Sequence, residues 1–315
     1  MDAPKSLQDA ILFFSNPDNC MAYMVAERWP DGIVICPTCG RNDVSWLAKQ
    51  RKWQCKSAHV KRQFSAKVGT IFEDSPIPLD KWLMAGWMLA NCKNGISSYE
   101  LAKDIKVSQK SAWFMLHRLR VAMIETGGKI GGSRPVEIDE TFVGGKVKNM
   151  HKSKRKAMPY QGGGGKAIVL GMLERGGKVR AGVIESRHKR MLEAPIHANV
   201  EAGSHIITDE FSAYPFVAQP FYHEIINHVE GYVREHVHTN SIENFWSLLK
   251  RGLAGTYVSV EPVHLDAYVD EQVFRFNNRK GMDDSGRFSK MLSQVHGRRL
   301  TYADLTGKEA GTPVF

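Results

Sequence analysis

The sequence has no apolar run that approaches the roughly 18 to 20 residues a helix needs to cross a bilayer. Its first residues, MDAPKSLQDAILFF, lack the basic region and the cleavage site of a signal peptide. Cysteine is also scarce: there are five in 315 residues, and three of them are clustered, which is not an even disulfide framework. These absences predict a cytoplasmic protein with no membrane partner.

Acidic residues are fewer than basic ones, with 33 Asp and Glu against 43 Lys and Arg, and the formal net charge is +10. A surplus of positive charge favours a polyanionic partner, because each phosphate contact releases condensed counterions. The length allows two or three modules at roughly 100 to 200 residues per domain. The net charge alone does not identify the partner, so the function has to be inferred from the sequence motifs.

The clustered cysteines form the first motif. Cys36 and Cys39 in CPTCG have the two-residue spacing of a zinc knuckle, and 15 residues later WQCKSAHV supplies Cys55 and His59. Three cysteines and a histidine predict a tetrahedral structural Zn2+ site, which stabilises a fold and leaves no open position for a substrate. Three residues separate Cys55 from His59 instead of two, so four unrelated side chains remain the alternative.

Residues 78–124 change to a helical period, with Ser97 or Ser98 and then Ser108 as candidate N-caps. A helix, a short helix, a turn and a longer helix predict a helix-turn-helix-like module; a helical bundle without DNA is the alternative. We expect the longer helix to bury Trp113, Leu116 and Leu119. Its exposed face would then contact DNA through Gln109, Lys110, Arg118 and Arg120.

The glycine-rich segment ETGGKIGGSRP predicts a linker, and an α/β pattern follows it. We predict strands over 136–142, 166–173, 178–185, 205–208 and 221–225, and a helix over 189–199. Three strands, a helix and a strand is the order of an RNase-H-like core. Asp139 lies in the first of these strands, and Asp209 directly follows the fourth.

A third carboxylate, Glu243, lies in a predicted helix that runs to Arg251. Glu243 and Lys250 are seven residues apart and share one helical face, from which Lys250 and Arg251 could contact DNA phosphate. The alternative is a capping box formed by Asn240 and Glu243. Two strand-end carboxylates and a helical third predict a site for two divalent ions, Mg2+ or Mn2+, and phosphoryl transfer on DNA.

A basic insertion, KVKNMHKSKRKAMPYQGGGGK, separates the first two predicted strands. Lys154 and Arg155 within it could follow a DNA backbone beside the carboxylates. A solvated loop with no partner is the alternative.

These segments together resemble the bacterial insertion-sequence transposases of the DDE type, in the group with an N-terminal zinc ribbon. IDETFVGG, DEFSAY, HTNSIENFWSLLKRG and GTYVSVEPVHLDAYVDEQVFRFNNRK carry the resemblance, which covers nearly the whole chain. It implies a metal-dependent enzyme that binds terminal inverted repeats and target DNA, cleaves a strand and transfers it. Asp139 and Asp209 would hold the metals, with Glu243 as the third ligand and Asn240 in contention. Pairing of two DNA ends implies a homo-oligomer on DNA.

From these patterns we expect an N-terminal helix and zinc ribbon over 1–75 and the helix-turn-helix-like module over 76–127. The RNase-H-like catalytic domain would cover 128–285, before a C-terminal tail over 286–315. Two other functions remain open. One is a non-enzymatic or domesticated sequence-specific DNA-binding regulator, and the other is a stand-alone RNase-H-like nuclease.

Overall fold

The computed structural model describes residues 3–145, 166–209, 220–226 and 239–307. The predicted DNA contacts Lys154 and Arg155 lie outside these residues. The chain forms two compact units, one from 1–124 with 281–315 and the other from 125–280. The segment predicted as a separate C-terminal tail therefore belongs to the same unit as the N-terminal residues.

The first unit begins with two helices and a small sheet. α1 (Leu7–Phe14) and α2 (Pro17–Arg28) are capped by Ser6 and Asn16, whose side chains accept backbone N–H groups of the first turn. An antiparallel sheet follows, with its strands in chain order: β1 (Val44–Leu47), β2 (Lys52–Cys55) and β3 (Gln63–Phe64). Trp53 on the central strand is buried against Trp46, Trp29 and Phe64.

Three helices follow: α3 (Leu79–Asn91), α4 (Ser98–Asp104) and α5 (Gln109–Val121). Ser97 and Ser108 cap α4 and α5, as their sequence positions predicted. Leu116 and Leu119 are buried as expected, whereas Trp113 is only partly buried.

The predicted exposed face of α5 was wrong in its second half. Arg118 and Arg120 are only 4% and 1% exposed, because the C-terminal half of α5 is buried on all sides within its unit. The Arg118 guanidinium donates to the Glu73 carbonyl at 2.6 Å and lies 5.5 Å from the centre of the Trp82 ring. Burial lowers the pKa of Arg118 to about 10. This side chain stabilises the unit from inside.

The second unit is built on one five-stranded sheet. Its strands are β4 (Val136–Val143), β5 (Ala167–Glu174), β6 (Val179–Ile184), β7 (His205–Asp209) and β8 (Tyr222–Ile226). The spatial order is β6-β5-β4-β7-β8. β4, β5 and β6 pair antiparallel, whereas β7 pairs parallel with β4 and β8 pairs parallel with β7. The predicted strands are confirmed to within two residues at each end.

Helices cover both faces of this sheet. α6 (Lys189–Asn199) packs Leu192 and Ile196 on one face, against apolar side chains that include Val136 and Ile138. α7 (Asn240–Gly252) and α8 (Leu265–Asn277) pack on the other face. Because side chains alternate along a strand, the residues of β4 between the apolar ones face α7. Glu137 and Asp139 occupy those positions.

Two further helices complete the first unit, α9 (Asp284–Ser293) and α10 (Tyr302–Thr306). Phe288 of α9 is buried, with its ring 5.2 Å from the Trp87 ring and 5.7 Å from the Phe14 ring. This contact explains why the C-terminal segment joins the unit. No helix in the described part of the chain is long and apolar enough to cross a membrane.

Candidate active site and zinc centre

The four predicted zinc ligands meet at one point in the first unit. The ligand atoms of Cys36, Cys39, Cys55 and His59 all lie within 4.8 Å of one another. Cys39 Sγ is 3.7 Å from Cys55 Sγ, and Cys36 Sγ is 3.5 Å from His59 Nε2. A tetrahedral ion with Zn–S bonds of about 2.3 Å has edges of about 3.8 Å between sulfurs. The cluster therefore fits a structural Zn2+.

The orientation of His59 supports the same ligand set. Its Nδ1 lies 2.7 Å from the Val60 carbonyl oxygen, which can only accept, so Nδ1 carries the proton and Nε2 is left for a metal. Burial raises the pKa of the Cys55 thiol, but in the metal-free cluster hydrogen bonds from the His59 imidazolium, which then carries a proton on both nitrogens, and from the Ser57 backbone outweigh burial and lower it to about 6. A thiol with this pKa is largely a thiolate at neutral pH, the form that binds zinc.

The two predicted strand-end carboxylates lie on neighbouring strands. β4 pairs parallel to β7 with Val136 opposite Ile206 and Glu137 opposite Ile207. Asp139 and Asp209 each lie two residues beyond this pairing, on the face of the sheet that α7 covers, and they are near enough for the charge of Asp209 to act on Asp139. Seventy residues of chain separate these side chains, and the parallel pairing brings them together.

Trp246 of α7 holds Asp139 directly. The indole Nε1 donates a hydrogen bond of 2.9 Å to Asp139 Oδ2. The ring also lies over Gly171, which pairs with Asp139 across β4 and β5. A Cβ at Gly171 would come within 2.6 Å of the Trp246 ring, so glycine leaves the space that the indole occupies. Neither role was predicted from the sequence, because a tryptophan in an amphipathic helix normally indicates core packing.

A fourth acidic residue, Glu137, was also missed. Its side chain is 0% exposed, and its Oε2 accepts the backbone N–H groups of Ser241 and Ile242 at 2.9 and 3.0 Å. Its Oε1 accepts from Arg175 Nε at 2.7 Å. Glu137 thus caps the N-terminus of α7 from the neighbouring strand and fixes the helix that carries Glu243. The available signal was an acidic residue two positions before Asp139, which places it on the same face of the strand.

Glu243 lies in the first turn of α7 and is exposed. Its Oε1 accepts a hydrogen bond from Thr239 Oγ1 at 3.2 Å. The helix begins at Asn240, with Thr239 at the N-cap position, so the alternative capping box between Asn240 and Glu243 does not form. The exposed Glu243 is therefore available for a role other than capping.

The exposed face of α7 is polar throughout, as its helical phase predicted. Asn240, Glu243, Lys250 and Arg251 are all exposed, while the apolar side chains of α7 pack against the sheet. Lys110 on α5 is exposed as well, 4.9 Å from the centre of the Tyr302 ring.

The electrostatics of Asp139 suit a site for a cation. Burial is the largest influence and raises the pKa of Asp139 to about 6, and the negative charges of Glu140 and Asp209 also raise it. The Trp246 hydrogen bond acts in the opposite direction. A carboxylate that burial and neighbouring charges disfavour gains from a bound divalent ion. In the described part of the chain, the zinc cluster is the only group in which three or more His, Cys, Asp or Glu side chains bring their ligand atoms close together. The carboxylates of Asp139, Asp209 and Glu243 do not form such a group in this structure.

Comparison with known proteins gives matches over both units. Residues 129–277 match the family model of the ISXO2-like transposase domain, and residues 15–59 match that of the transposase zinc-ribbon domain. An uncharacterised protein in transposable element ISH50 of Halobacterium salinarum is 29% identical over 245 residues, which are 72% of this chain and 80% of that protein. An uncharacterised transposase-like protein of Haemophilus influenzae is 31% identical over 102 residues, 32% of this chain and 82% of that protein.

Proposed function

The chain belongs to the ISXO2-like transposases, and from this premise we propose that it binds the ends of an insertion sequence, cleaves a DNA strand there and joins it to target DNA. The observation that carries the proposal is the position of Asp139 beside Asp209 with α7 fixed above them. The helix is held by Glu137 at its first turn and by Trp246 at Asp139.

The sheet supports an RNase-H-like fold for the second unit. Three antiparallel strands in chain order, followed by two strands parallel to the first, give the order β6-β5-β4-β7-β8. The first turn of α7 lies beside Glu137, two residues before Asp139 on β4, and Trp246 further along the helix contacts Asp139. We propose that this arrangement is the catalytic core.

In this core Asp139, Asp209 and Glu243 would hold Mg2+ or Mn2+ at the scissile phosphate. Bound divalent ions would lower the pKa of the attacking hydroxyl and stabilise the charge that develops on the phosphate. Trp246 would fix the Asp139 carboxylate through its hydrogen bond. Glu137 would fix the start of α7, and with it the position of Glu243. Lys250 and Arg251, on the exposed face of the same helix, would contact the DNA backbone.

The first unit supplies the proposed DNA recognition. α4 and α5 have the lengths and caps of a helix-turn-helix-like pair, and Lys110 is exposed in the first turn of α5. Because Arg118 is buried, Lys110 is the side chain of α5 that we propose for phosphate contact. The zinc ribbon would stabilise the unit. Since two DNA ends must be held together, we propose that the active form is a homo-oligomer on DNA.

A strand-transfer assay tests the function. Purified protein, Mg2+ and labelled DNA from the flanks of its gene should give joined products, which Asp209→Ala should abolish while end binding persists. Specific binding without cleavage or joining, with the correct ends and metal supplied, would instead support a DNA-binding regulator.

The third ligand is tested in the same assay. We expect Glu243→Ala to abolish cleavage and Asn240→Ala to retain it, because the Glu243 carboxylate is exposed and takes no part in a capping box. The opposite pair of results would assign the role to Asn240.

A further inference from the structure

A cavity of about 420 Å³ lies in the second unit, beyond the carboxylates. It opens between the end of β4 and the last turn of α7. The lining residues that matter here are Phe142, Val143, Lys250, Leu253, Val258 and Val260. The walls are thus mainly apolar, one cation stands among them, and the described lining contains no carboxylate.

Val258 has an unusual backbone conformation. Its φ is +62° and its ψ is −51°, and Ser259 N donates to Tyr257 O at 2.6 Å. This is the strained type of γ-turn, which a β-branched residue rarely adopts. The side chain is nevertheless 79% exposed, so its own packing does not require the strain. Strain of this kind persists where the surroundings impose it, and it is concentrated at functional sites.

The neighbouring residue, Tyr257, is anchored to the buried side of α8. The hydroxyl of Tyr257 donates to Glu271 of α8, which also pairs with Arg275, and both of these α8 residues are buried. The residues from Leu253 to Tyr257 form a π-helical turn, another feature that is frequent at functional sites. The exposed side chain of Val258 thus directly follows a residue that is anchored to the core.

The cavity lies at a suitable distance from the carboxylates for bound DNA. Phe142 is three residues beyond Asp139 along β4, or about 10 Å at a strand's rise. Lys250 is seven residues beyond Glu243 along α7, again about 10 Å. At about 3.4 Å per nucleotide along a duplex strand, this distance corresponds to about three nucleotides.

We propose that this cavity binds an unpaired nucleotide base of the DNA held at the carboxylates. Val258 and Val143 provide the apolar surface for the base, and Lys250 contacts its phosphate. Apolar side chains placed in this way separate or receive unstacked bases in other DNA-binding proteins. The inference rests on the proposed function, because the DNA must first be bound at the carboxylates.

The test measures binding by fluorescence anisotropy with the full chain and without Mg2+, so that no strand is cut. Two labelled duplexes from the flanks of the gene have the same sequence but end differently. One ends in three unpaired thymidines and the other in three abasic nucleotides, in matched 3′- and 5′-overhang forms. The backbone charge is then equal, and only the bases differ. We expect one overhang polarity to bind about fivefold more tightly with bases than without, because the apolar walls of the cavity remove base surface from water.

Two valine substitutions identify the cavity. Val258→Gly removes the side chain, and glycine adopts a positive φ without steric strain. This variant should therefore fold but lose the preference for the duplex with bases. Val263→Gly is the matched control, because Val263 is also exposed, at 75%, but does not line the cavity. It should keep the preference.

Three results would overturn the inference. If the wild type binds the thymidine-ended and abasic duplexes with affinities within twofold of each other, the cavity does not bind a base, although the protein still binds DNA. If Val258→Gly keeps the preference, the base is bound elsewhere. If neither duplex is bound, the proposed function fails, and the subsite fails with it.

Discussion

The indole N–H of Trp246 donates a 2.9 Å hydrogen bond to Oδ2 of Asp139. The two residues come from a helix and a strand 107 positions apart in sequence. This contact couples the packing of α7 on the sheet to the orientation of the proposed metal ligand. Residues that orient a ligand in this way often affect metal affinity or activity 10- to 100-fold.

Replacing Trp246 should therefore impair catalysis more than folding. Trp246→Phe keeps an aromatic ring in the apolar core but removes the donor to Asp139. We expect cleavage to fall about 10- to 100-fold, with a higher Mg2+ requirement. The measurement is a Mg2+ titration of cleavage, and Phe245→Leu, a packing change in the same helix, is the control. An unchanged Mg2+ requirement in Trp246→Phe would contradict the role.

Glu137→Gln should destabilise the second unit. The carboxylate accepts from the partly buried Arg175 and from two backbone N–H groups, whereas an amide has one acceptor oxygen and no charge to pair with the guanidinium. Breaking a buried pair costs about 3 to 5 kcal/mol of unfolding free energy, which urea denaturation would measure. Glu174→Gln is the control, because Glu174 pairs with the exposed Arg134 at 3.5 Å and should cost less than about 1 kcal/mol. Equal losses of unfolding free energy in the two variants would contradict the role of Glu137 as the buried cap of α7.

The stability of the metal-free protein should depend on pH through Asp139. Its pKa is raised from 3.8 to about 6 in the folded state, so folding favours the protonated form. That stabilisation is full below about pH 4 and is lost as the pH rises through 6. In Asp139→Asn the side chain at position 139 does not titrate. The unfolding free energy of this variant relative to wild type should therefore increase by about 1.4 kcal/mol between pH 5 and pH 8. Urea denaturation at both pH values measures this change, and a difference that stays constant would argue against the raised pKa.

The fourth zinc ligand can be tested by metal content. His59→Ala should lose zinc and lower the melting temperature of the first unit, because a structural zinc contributes directly to folding. His59→Cys restores a thiolate and should retain one zinc per chain. Metal analysis of the purified proteins measures both. Full zinc in His59→Ala would remove His59 from the ligand set.

Two basic residues of α5 should behave differently. Lys110→Gln should weaken DNA binding with little change in melting temperature. The slope of the logarithm of the binding constant against the logarithm of the salt concentration should become about 1 less steep. Arg118→Gln should lower the melting temperature, because it removes the buried donor to the Glu73 carbonyl. Anisotropy at several salt concentrations and thermal unfolding separate the two effects. A normal melting temperature with weakened binding in Arg118→Gln would restore it as a DNA contact.

The sequence by itself determined the features that depend on local spacing. The ligand set Cys36, Cys39, Cys55 and His59 follows from spacing along the chain. Glycine turns and alternating apolar residues set the strands, and the N-cap serines set the starts of α4 and α5. The polar face of α7, with Glu243 and Lys250, follows from helical period alone.

Tertiary structure decided the rest, because burial and long-range pairing depend on which elements meet. Arginine is a residue type that normally lies at the surface, yet the packing around α5 buries Arg118. The parallel register of β4 and β7 sets Asp139 beside Asp209, and only the fold shows that Glu137 caps α7 and that Gly171 makes room for Trp246. These contacts join residues 70 to 105 positions apart. At such separations local periodicity carries no information, because loop closure and side-chain packing choose the partners.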